Sequence, residues 1–113
     1  MSADELRAAR GALDAVRVED VLLDYIHALI LATRSAPSLS LGASTRAALA
    51  LERAVRAHAL VASRAFATPD DVKRLAGPVL AHRVQVNGPD PRAATEEAER
   101  VIRALLEEVE VPV

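Results

Sequence analysis

The chain carries only two aromatic side chains, Tyr25 and Phe66, so its interior must be built without large rings. Apolar residues still make up 51% of the sequence, which is too many for a disordered chain. Leu, Val, Ile and a large share of Ala are left to fill a core. Alanine is the best helix former and lets helices approach closely. A core of that kind points to packed α-helices rather than a sheet. The 113 residues suit one domain with a modest interior.

Local signals divide the chain into helices. Ser2 and Glu5 have capping-box spacing, so a first helix should begin at Ala3 and present Leu6, Ala9, Leu13 and Val16 as its apolar stripe. Val16-Arg17-Val18 reads as a short extended joint. A second helix should run from Glu19 to Ser35, with Val18, Val21, Leu22, Tyr25, Leu29 and Ala32 on one face. Pro37 and Gly42 mark 36–43 as a loop. Ser44 is a good cap for a third helix reaching about Ala65, whose stripe is Leu51, Val55, Ala59, Ala62 and Phe66. Thr68-Pro69-Asp70-Asp71 is the clearest start signal: a cap, a proline at the first helical position, and two acids at the positive end of the dipole. Val72, Leu75, Val79 and Leu80 should face inward, and Gly77-Pro78 should kink or break this fourth helix. Arg83 to Val86 alternates and reads as briefly extended, and Asn87 to Pro91 reads as a turn. Asp90 or Thr95 caps a last helix with Val101, Ile102, Leu105 and Leu106 inside, and the tail 111–113 should fray. The expected fold is all-α, a bundle of four to five helices.

The chemistry is mostly absent. Cysteine is missing, which removes disulfides and thiolate metal sites and points to a reducing compartment. The start, Met-Ser-Ala-Asp-Glu, does not read as a signal peptide, and no apolar run reaches the roughly 18 residues of a membrane span. A net charge of −2 gives no general pull toward nucleic acid. Arg53, Arg56 and Arg64 on the third helix are dispersed rather than clustered, which argues against DNA binding. Lys73 lies within a helix and lacks the glycine-rich loop of a phosphate-grasping motif. His27, His58 and His82 lack metal-ligand spacing, so no metal site is expected. Arg46 stands apart. It lies in the first turn of the third helix, where a cation opposes the dipole at a cost of about 0.3–1 kcal/mol. A guanidinium beside free backbone N–H groups is also a good arrangement for a phosphate. Spacing alone leaves open that Arg46 is an ordinary exposed arginine in a surface ion pair.

The ordered set Val21 to Ile26, Ala32-Thr33-Arg34, Leu41-Gly42-Ala43-Ser44-Thr45-Arg46-Ala47, Thr68 to Val72 and Pro78 to Arg83 resembles the C-terminal lid domain of MoxR-type AAA+ ATPases. The resemblance covers nearly the whole chain after the first helix. It implies that residues 1–17 are the connection from an ATPase core and that 18–113 form the lid. Arg46 would be the sensor-2 arginine that approaches the ATP γ-phosphate, with Gly42 and Ser44 beside the nucleotide. The core would supply the phosphate-binding loop and hold ATP with Mg²⁺; the lid would bind neither tightly and catalyse nothing alone. The implied parent is a cytoplasmic bacterial ATP hydrolase, commonly a hexamer. It would act as a chaperone-like motor, often with a partner carrying a von Willebrand factor A domain. The family usually has Pro where this chain has Thr45, which should loosen the start of the helix slightly. Arg34, His82 and Arg83 would tie the lid to the core. The competing reading is a free-standing helical interaction module that grips a partner helix in an apolar groove.

Overall fold

A computed structural model describes residues 1–87 and 94–112. It contains five helices: α1 (Ala3–Ala15), α2 (Asp20–Ser35), α3 (Thr45–Val61), α4 (Pro69–Leu80) and α5 (Ala94–Glu108). Two short strands, β1 (Leu39–Leu41) and β2 (Gln85–Val86), pair antiparallel. The all-α expectation holds. The expected loop at 36–43 does contain β1, because the extended 85–86 segment offers it a partner 45 residues away. Ser40 Oγ donates to the Gln85 carbonyl at 3.3 Å, and the Asn87 N–H donates to the Ser38 carbonyl at 3.0 Å.

Helices α2 to α5 enclose the core, and α1 packs only on α3. The buried positions recur every third or fourth residue: Leu22, Ile26, Leu29 and Ile30 on α2, Ala47, Leu51, Val55 and Ala59 on α3, Val72, Ala76 and Leu80 on α4, and Ala98, Ile102 and Leu105 on α5. Alanine at 47, 59, 76 and 98 lets neighbouring helix backbones come close. The three caps sit where expected. The hydroxyls of Ser2, Ser44 and Thr68 accept the N–H groups of Glu5, Ala47 and Asp71. The Val16–Val18 joint is extended, and Arg17 bridges to the chain around Phe66.

Several expectations are corrected. Helix α3 stops at Val61 rather than near Ala65. Ser63 takes φ 60°, the Arg64 N–H donates to the Ala59 carbonyl, and the Ser63 N–H donates to the Leu60 carbonyl. These are the two bonds of a Schellman turn, with serine in the left-handed position that glycine usually fills. The turn swings Ala62 and Phe66 off the buried stripe, and Phe66 is 47% exposed. Val21, placed inward by periodicity, is 53% exposed, because α2 has no neighbour on that side of its first turn. Helix α1 buries none of its residues.

Helix α4 is not broken at Gly77-Pro78: it runs to Leu80 with Pro78 inside. Pro78 is exposed, so water can take the Arg74 carbonyl that loses its ladder bond. Helix α5 begins at Ala94, which puts Thr95 inside the first turn rather than at the cap; Asp90 lies outside the described residues. The tail is not frayed through Pro112. Val111 and Pro112 are half-buried, and Val111 packs against the core; Val113 lies outside the described residues. Among the described residues no helix is long and apolar enough to cross a membrane.

Candidate functional site

The start of α3 is held in place by the end of α2. Thr33 is buried, and its hydroxyl donates to the Ile30 carbonyl at 2.6 Å while accepting the Ala43 N–H at 2.9 Å. The Arg34 Nε donates to the Ala43 carbonyl at 2.9 Å. Ala43 is therefore gripped on both sides of its peptide unit by consecutive residues of α2. Gly42 makes this possible. A Cβ at Gly42 would lie 2.6 Å from the Arg34 Cα and 2.7 Å from its nitrogen, so only glycine lets the two backbones come so close. On the other side, Ser38 and Ser40 are tied to the 85–87 segment.

This bracket sets where α3 begins. Ser44 is the cap and its hydroxyl accepts the Ala47 N–H at 3.4 Å; Thr45 is the first helical residue, and Arg46 the second. The Thr45 and Arg46 N–H groups have no intrahelical partner. The three residues singled out from the sequence, Gly42, Ser44 and Arg46, thus lie within one turn, each with a distinct place. Gly42 backs onto α2, Ser44 caps α3, and Arg46 is exposed. Among the described residues Arg46 makes no ion pair and no hydrogen bond. A free guanidinium beside unpaired amides is a donor set suited to one phosphate group and offers no enclosure for a base or ribose.

The other charged candidates are committed to internal bonds. Arg56 donates to the Val16 carbonyl and pairs with Glu52 at 3.0 Å. Arg64 reaches Asp71 with both terminal nitrogens, at 2.8 and 2.6 Å, and also meets the Phe66 carbonyl. Asp71 is nearly fully buried and additionally accepts the Thr68 N–H at 2.8 Å, completing a capping box. Burial pushes the Asp71 carboxyl up. The Arg64 hydrogen bonds, the Thr68 bonds and the guanidinium charge outweigh it and hold the group below the ordinary carboxylate range. Sequence reasoning read Asp71 only as a helix-start acid and Arg64 only as one of three dispersed arginines. The usable signal was the Thr68-x-x-Asp71 spacing. His58 stands 3.7 Å from Asp71, while His27 and His82 are exposed. Among the described residues no group of three or more His, Asp or Glu side chains comes together to hold a metal. Arg34, read as a tie to a separate core, is instead half of the bracket on Ala43.

The model of the AAA lid domain family matches residues 31–105, which span the bracket, the start of α3 and the bundle. The chain belongs to the AAA lid domain family. The lid is 37% identical over 98 residues to the uncharacterized protein YeaC of Bacillus subtilis (strain 168), a match that covers 87% of the lid and 30% of YeaC. Its fold matches a crystal structure described as that of a "putative ATPase" from Cytophaga hutchinsonii with a TM-score of 0.78 and 30% identity. That match covers 92% of the lid and 34% of the other chain. The lid thus spans about a third of the length of each of these relatives.

Proposed function

We propose that this lid belongs to a MoxR-type AAA+ ATPase and supplies the sensor-2 arginine, Arg46, to a nucleotide held by a separate core. The observation that carries the reading is the bracket: Thr33, Arg34 and Gly42 fix the first turn of α3 in a single position and leave Arg46 exposed and unpaired. An unpaired guanidinium at the positive end of a helix is locally unfavourable, and an incoming phosphate would relieve it. Ser44 and Gly42 would line the approach. ATP with Mg²⁺ on the core would provide the scissile phosphoanhydride. Arg46 would steady the charge that develops on the γ-phosphate, a role worth several kcal/mol in comparable sites. Release of that phosphate would free the lid to swing as a rigid body. Residues 1–17 would form the connection to the core, consistent with a first helix that buries nothing. The parent would be an ATP hydrolase of the bacterial cytoplasm, working as a ring, commonly a hexamer. It would remodel other proteins in a chaperone-like way, with a von Willebrand factor A domain protein as one class of partner.

The test is turnover of the full-length parent carrying Arg46→Ala, set beside its melting temperature. We expect ATP hydrolysis to fall about 10²-fold or more with an unchanged melting transition, because the lost contact stabilises the transition state and not the core. Normal turnover in that variant would return Arg46 to the status of an ordinary surface arginine.

A further inference from the structure

Two side chains that helical periodicity assigns to the interior are instead exposed, and they meet. Val21 and Phe66 both line a cleft of about 270 Å³ between the first turn of α2, the turn after α3 and the chain's last described residues. Leu22, Pro69 and Pro112 complete its apolar wall. Val21 and Pro112 also line an adjoining groove with Asp24, Tyr25 and Glu110, so the two form one continuous surface.

This surface has a consistent charge. Asp24 and Glu110 stand on it as exposed carboxylates, and Asp70 follows Pro69 at its edge. The cation on the wall, Arg17, is paired with Glu19 at 3.6 Å. Lys73 and Arg103 line a separate cleft. Beneath the rim lies an unmet polar group. Tyr25 is buried, and its hydroxyl has no hydrogen-bond partner among the described residues. Burial, then the charges of Asp70 and Glu107, raise its pKa and keep the phenol neutral, able to accept a hydrogen bond from a cation.

We propose that this cleft docks a basic amphipathic segment of another protein, which seats one large apolar side chain against Val21 and Phe66 and an Arg or Lys between Asp24, Glu110 and the Tyr25 hydroxyl. Apolar burial supplies the affinity, and the acidic rim selects the sign of the partner's charge. None of residues 42–47 lines the surface, so the inference is independent of the role assigned to Arg46.

Tyr25 is the chain's sole tyrosine and tryptophan is absent, so tyrosine fluorescence reports on the groove directly. The probe is a short synthetic helical peptide with a leucine flanked by arginines. It is compared with a second peptide bearing glutamates in place of the arginines and a third bearing alanine in place of the leucine. The 113-residue chain should bind the first, with a change in Tyr25 emission and amide shifts confined to the neighbourhoods of Val21, Phe66 and Pro112. Affinity should fall about tenfold in the double variant Asp24→Asn, Glu110→Gln and should weaken as salt is raised. Tyr25→Phe should weaken binding while leaving the fold at least as stable, which separates a ligand contact from a packing role. Three outcomes would overturn the proposal: equal binding of the acidic peptide, shifts centred elsewhere, or concentration-dependent self-association of the chain through Val21 and Phe66.

Discussion

At the scale of single residues, Asp71 and Gly42 carry consequences out of proportion to their size. Asp71 joins the end of α3 to the start of α4 through Arg64 and Thr68. Asp71→Asn should destabilise the fold by about 2–4 kcal/mol, because it leaves a partly buried guanidinium without its counter-charge. The same bond makes stability depend on pH. The folded carboxyl titrates below its unfolded value of about 3.9, so in acid the unfolded chain binds the proton first. The contribution is complete above that pH and disappears as pH falls through the folded value. Urea midpoints measured at neutral pH and in acid should therefore drop steeply for the native chain and less for Asp71→Asn. Glycines give a second contrast. A Cβ at Gly42 collides with backbone atoms of Arg34 and Thr33, whereas one at Gly77 meets nothing within 4 Å. Gly42→Ala should cost about 1–3 kcal/mol and displace the first turn of α3. Gly77→Ala, in the middle of a helix, should gain about 0.5–1 kcal/mol. Thermal melts of the two variants should move in opposite directions.

At the scale of elements, the helices divide into those that make the core and one that does not. Helix α1 has a sound cap at Ser2 and an apolar stripe, yet it buries no residue, and its packing is confined to α3. Val16, just after it, is buried and bonded through its carbonyl to Arg56. Removing residues 1–14 should therefore leave the remaining bundle folded and lower its stability by no more than about 1 kcal/mol, since little apolar area is lost. Loss of cooperative unfolding in the shortened chain would show that α1 is part of the bundle proper. The β1–β2 ribbon works in the opposite sense. It is only a few residues long, yet it pins the segment that leads into Gly42, so the strands serve the placement of α3 more than the core.

At the scale of the molecule, one end of α3 is built for stability and the other for exposure. Leu51 is fully buried between helices, whereas Arg46, five residues earlier, faces solvent. In the isolated lid, Leu51→Ala should cost about 2–5 kcal/mol, while Arg46→Ala should leave stability equal or slightly raised because it removes a cation from the positive end of the dipole. Chemical denaturation of the two variants distinguishes them. A large loss for Arg46→Ala would mean that the arginine supports the fold, which would weaken its assignment to a nucleotide. The separation matters for an AAA lid, whose first turn of α3 must stay accessible while the bundle behind it moves as one body.

The sequence by itself determined where the helices start, because capping is local. Ser2, Ser44 and Thr68 each sit within three residues of the N–H they accept. It also determined that α3 would expose a cation in its first turn, and so singled out Arg46. The end of α3 was not legible, since the left-handed turn residue is Ser63 and carries no glycine signal. Only the tertiary structure decided which way Val21 and Phe66 face, since a periodic stripe says that a face is apolar without saying whether a neighbour covers it. It likewise decided the bracket on Ala43. Thr33 reads as an ordinary mid-helix residue, and its hydroxyl gains a loop amide to bind only when the chain returns across the end of α2, at a distance that Gly42 alone permits.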